Sequence, residues 1–111
     1  MSALLHFPNA ETMKTYLCKH PLLKMDYYQE KGITQAIAEL AAERFADSDK
    51  VEMGVKMGTM LMMNDLQTGK DGFSGKVLPN LGKLGLPSMV WAQISMATEE
   101  ALIDCANQVK V

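Results

Sequence analysis

Residues 51–67, VEMGVKMGTMLMMNDLQ, hold five of the ten methionines of the chain. On a helix with about 100° per residue, one apolar stripe holds Met53, Met57 and Met60. A narrow polar strip holds Glu52, Lys56 and Thr59, with Met63 beside it. Apolar side chains thus cover well over half of the circumference, whereas a helix at the edge of a small domain needs only about a 100° stripe. We expect this helix to be central, or to contact a partner as well as its own core.

Two glycines in the same stretch, Gly54 and Gly58, form a small-xxx-small pair. Two glycines inside a helix cost about 2 kcal/mol of helix propensity relative to alanine. That cost predicts a close backbone approach by a neighbour, in the core or across a two-fold axis; the alternative is a weak, bent helix.

The segment 88–109 predicts one long C-terminal helix, because its apolar residues stay in phase on one face throughout. That face holds Val90, Trp91, Ile94, Ala97, Ala101, Leu102, Cys105 and Val109. A second, separate stripe consists of Met89, Met96 and Ile103, spaced by seven residues. Apolar residues with this spacing are what a long helix–helix seam requires.

Three further helices are predicted upstream. Asn9 is a good N-cap for a first helix that Pro21 ends. A weaker pattern over 22–31 predicts a second helix, with Gly32 as the glycine that follows it. Thr34 is the predicted cap of a third helix, which is amphipathic and lies at the surface with Ala42 on its polar side. Ser48 or Asp49 is the predicted cap of the Met-rich helix.

The chain of 111 residues fits one domain, residues 1–111. We predict an all-α fold: a compact bundle of four to five helices, with a central Met-rich helix and a long C-terminal helix. Residues 68–87 are predicted to form a glycine-rich loop. We expect its leucine segment to pack on the core with a short helical turn, and its part from Lys70 to Lys76 to be exposed.

Composition narrows the classes of partner. The net charge is −2, which argues against nucleic acid because its binders usually carry a basic surplus. No apolar run approaches the ~20 residues that cross a bilayer, so no membrane partner is expected. Two cysteines make no disulfide scaffold, and with no secretory signal pattern in view we expect a small acidic cytoplasmic protein.

Three groups of residues come near to a known phosphate, calcium or zinc motif, but each lacks residues that the motif requires. The stretch 69–76, GKDGFSGK, fails as a phosphate loop because five residues separate its glycines and Val77 stands where Ser or Thr must bind magnesium. The stretch Asp65 to Lys76 lacks the ligands of a calcium loop. Zinc ligands usually come in closely spaced pairs, and this spacing is absent from Cys18, His20, His6 and Cys105. No third residue accompanies them as a catalytic triad would require. We expect no catalytic residue, no metal and no cofactor.

The first hypothesis of function is a non-enzymatic protein–protein interaction protein: an adaptor, small assembly subunit, chaperone or inhibitor. Its partner would be another protein or itself, as a homo-oligomer or a subunit of a larger assembly. The expected interface residues are Met53, Met57, Met60, Met89, Met96 and Ile103, since methionine adapts to varied partners. The alternative is a small-ligand or anion-binding protein or enzyme with a pocket beside the 68–87 loop, where the candidate residues are Lys70, Lys76 and Lys83. A nucleic-acid-associated subunit is a weaker third option.

Overall fold

The chain folds as a bundle of α-helices. A computed structural model describes residues 7–48, 51–68 and 81–108. Its helices are α1 (Ala10–Lys19), α2 (Asp26–Glu30), α3 (Ile33–Phe45), α4 (Val51–Thr68) and α5 (Ser88–Gln108), with a 3₁₀ helix at Leu81–Leu84. The described residues contain no β-strand, so the predicted all-α fold is confirmed.

The N-cap and the end of α1 and the glycine after α2 are those that the sequence predicts, whereas α2 begins at Asp26 and is shorter than the predicted helix over 22–31. Asn9 Oδ1 accepts a hydrogen bond from the backbone N–H of Thr12 at 2.9 Å, which satisfies one of the free N–H groups of the first turn. The helix ends before Pro21. Gly32 follows α2 with a φ of 76°, a left-handed conformation that glycine adopts without steric cost.

The start of α3 differs from the prediction, because Thr34 is not its cap. Gly32 both follows α2 and occupies the N-cap position of α3, so α3 begins at once and Thr34 falls inside its first turn. There Thr34 is buried, and its Oγ1 donates a hydrogen bond to the carbonyl oxygen of Leu23. That bond ties α3 to the segment before α2.

Four helices form a ring around the core. α1 packs on α3, α3 on α4, α4 on α5, and α5 back on α1, while α2 covers α3. The largest fully buried side chains include Phe7, Met13, Leu17, Leu23, Ile33, Ile37, Leu40, Met62, Leu66, Ile94 and Leu102. The Met-rich helix α4 therefore lies between α3 and α5, and also contacts the 3₁₀ helix, whose Leu81 is buried.

The third helix is far more buried than the predicted surface helix. Ala36, Ala38 and Ala42 are buried in addition to its large apolar residues. Alanine leaves room for neighbours on several sides, and α3 contacts α1, α2 and α4. The expectation that Ala42 faces solvent was wrong because a small residue carries little information about which side of a helix is covered.

The turn after α3 is held by the segment before α1. The Phe7 N–H donates to the Ser48 carbonyl oxygen at 2.8 Å, and the Asp47 N–H donates to the Pro8 carbonyl oxygen at 3.0 Å. The ring of Phe7 lies 5.3 Å from that of Phe45, centroid to centroid. These contacts fix the last turn of α3 and with it the Phe45 ring.

The α3–α4 contact is close because Gly58 has no side chain. A Cβ built on Gly58 would overlap the Phe45 ring, with Cε1 only 2.8 Å away. Beside it, Arg44 Nη1 donates to the Gly58 carbonyl oxygen at 3.3 Å, and Arg44 Nη2 lies 3.3 Å from Asp65 Oδ2. The close approach predicted for this glycine is thus made by the Phe45 ring, which belongs to the core.

These contacts set which face of α4 is buried, and it is not the one that sequence places deepest. Thr59, predicted on the polar strip, is fully buried, and Met63 beside it is buried as well. Both belong to a face that holds Val55, Thr59, Met62, Met63 and Leu66. Since the apolar arc is wider than one face, hydrophobicity alone does not select the side that packs inward.

We predict that Gly58→Ala lowers the free energy of unfolding by about 1–2 kcal/mol, because overpacking of about 1–3 kcal/mol outweighs a gain of about 1 kcal/mol in helix propensity. Urea denaturation measures the change. In a Phe45→Leu background, which shortens the overlapping side chain, the same substitution is expected to be neutral or stabilising. Equal losses in both backgrounds would contradict the contact.

We predict that Thr59→Val stabilises the fold by about 1 kcal/mol, because the buried Thr59 hydroxyl has no hydrogen-bond partner and such a group carries an uncompensated desolvation penalty. Thr98→Val is the matched control, since the equally buried Thr98 hydroxyl donates to the Ile94 carbonyl oxygen at 2.8 Å. That variant is expected to lose about 0.5–1.5 kcal/mol. Thermal unfolding that shows a loss at both positions would refute the assignment.

Candidate protein interface

The outward face of α4 is apolar. Met57, Met60 and Leu61 are exposed, at 63%, 59% and 52%. At about 100° per residue they lie about 120–180° from the centre of the buried face. The helix therefore carries two hydrophobic faces on opposite sides, and only one of them packs in the core.

The outward face of α5 repeats this arrangement. Met89, Met96 and Ile103 are exposed at 73%, 61% and 43%. The buried face, which includes Ile94 and Leu102, lies about 160–180° away around the helix. The helix runs without a break through Thr98, so the exposed residues keep one line over two heptads.

A groove of about 610 Å³ opens between α4 and α5 beside the exposed Met60. Met60 and Met63 of α4 line one wall, and Trp91 and Ala92 of α5 line the other. The remaining lining residues are Asn64, Gln67, Gly82, Leu86, Ser88 and Ser95. Because Ala92 lies four residues before Met96 on the same side of α5, the groove and the exposed stripe of α5 form one surface.

Five of the six residues proposed from the sequence thus lie on this surface: Met57, Met60, Met89, Met96 and Ile103. The side chain of Met53 lies outside the described part of the chain. Sequence reasoning missed Leu61 and Ala92 as members of the surface. Leu61 could have been found, since it neighbours Met57 at four-residue spacing, whereas Ala92 depends on how α4 packs against α5.

His6 lies outside the described residues, and the two cysteines considered for catalysis differ in their surroundings. Cys18 is exposed and Cys105 is buried, where burial, aided by the charge of Asp104, raises the thiol pKa to about 11. Such a thiol is almost entirely protonated at neutral pH and is a poor nucleophile. Among the described residues no group of three His, Cys, Asp or Glu side chains is placed to hold a metal ion.

His20 is occupied by structural contacts. Its Nδ1 accepts a hydrogen bond from the Leu22 N–H at 3.1 Å, which assigns the ring proton to Nε2. Nε2 lies 3.1 Å from Glu100 Oε2. The imidazole thus joins the end of α1 to α5, and both of its nitrogens have partners.

The proposed anion site lies largely outside the described residues, which exclude Lys70 and Lys76; Lys83 is exposed on the 3₁₀ helix. No charged side chain lines the groove beside it among the residues that the structure covers. A more polar cleft of about 460 Å³ opens elsewhere, lined by Lys14, Cys18, Gln29, Thr34, Gln35, Ala38 and Glu39. Its Thr34 hydroxyl is engaged by the Leu23 carbonyl oxygen.

None of the helices in the described ranges combines the length and the apolar character needed to cross a bilayer. Comparison of the chain with protein-family models, with curated proteins and with solved structures finds no significant match.

Proposed function

We propose that the chain is a non-enzymatic protein–protein interaction protein that binds another polypeptide through the outward faces of α4 and α5. The supporting observation is that six large apolar side chains are exposed on two helices that pack side by side. Isolated exposed hydrophobic residues are normal, whereas a contiguous patch typically marks an interaction site.

The energetic cost of this surface favours a partner. Fully burying a side chain such as Met, Leu or Ile contributes about 1.5–3 kcal/mol. Six side chains left about half exposed forgo on the order of 5–10 kcal/mol, which is comparable with the net stability of a small domain. A partner that covers both faces would recover much of that free energy.

The chemistry of the groove supports the same choice over an anion-binding protein or enzyme. Its described lining is uncharged and combines apolar side chains such as Met60, Met63 and Trp91 with amides and hydroxyls. Methionine side chains are flexible and polarisable, so they adapt to the shape of another protein. The two free cysteines suit a reducing compartment, and we place the protein in the cytoplasm.

Met96→Glu is the direct test. We expect the variant to keep the melting temperature and circular dichroism of the wild-type monomer, because Met96 is outside the core, and to lose association. Light scattering after size exclusion, at two concentrations, measures self-association. Retention of proteins from a cell extract on the immobilised chain measures binding to other partners.

Met25→Glu is the matched control. Met25 is 49% exposed but precedes α2, which packs on α3 rather than on α4 or α5. The Met25→Glu variant introduces the same charge and is expected to bind partners as the wild type does. The proposal fails if Met96→Glu unfolds the chain, or if the wild type, Met96→Glu and Met25→Glu all stay monomeric and retain the same proteins.

A further inference from the structure

We draw no further inference here: the strongest candidate, the outward apolar face of α5 at Met89, Met96 and Ile103, carries nothing beyond the proposed function because nothing in the described part of the chain shows what covers it.

Discussion

The Phe45 ring lies against the backbone of Gly58, and the rotation of α4 about its axis follows from that contact. Only the glycine side of α4 admits the ring, and Arg44 holds the same turn through the Gly58 carbonyl oxygen and Asp65. Phe45 is in turn fixed by Phe7 and by the two backbone hydrogen bonds around it. A rotation that brought Met57 and Met60 inward would break the contacts that Phe45 and Arg44 make with α4.

Because α4 is held in this rotation, Met57 and Met60 are left outside. The core is completed by the other side of the helix, including Thr59 with its buried hydroxyl. Burying a hydroxyl while exposing methionines costs stability. A partner that covers the outward faces of α4 and α5, as we propose, would offset that cost.

Sequence periodicity predicted the helices well because caps, prolines and apolar phase act locally, as at Asn9, Pro21 and Met96. It failed at Thr34 and Thr59, where tertiary contacts decide: Gly32 starts α3 early, and Phe45 turns α4. The outward stripe of α5 was predictable because that helix has one broad core face and one separate apolar line. On α4 the arc is continuous, so Met57 and Met60 could be proposed for the interface while the inward side could not be identified.

Methionine methyl NMR with a soluble paramagnetic relaxation agent distinguishes a second apolar face on α4 and α5 from a single enclosed core. We expect the methyl groups of Met57, Met60, Met89 and Met96 to relax fast in dilute solution and those of Met13, Met62 and Met63 to be protected, as their burial requires. Protection of all seven methyl groups in a dilute monomer would show instead that the outward faces belong to the core.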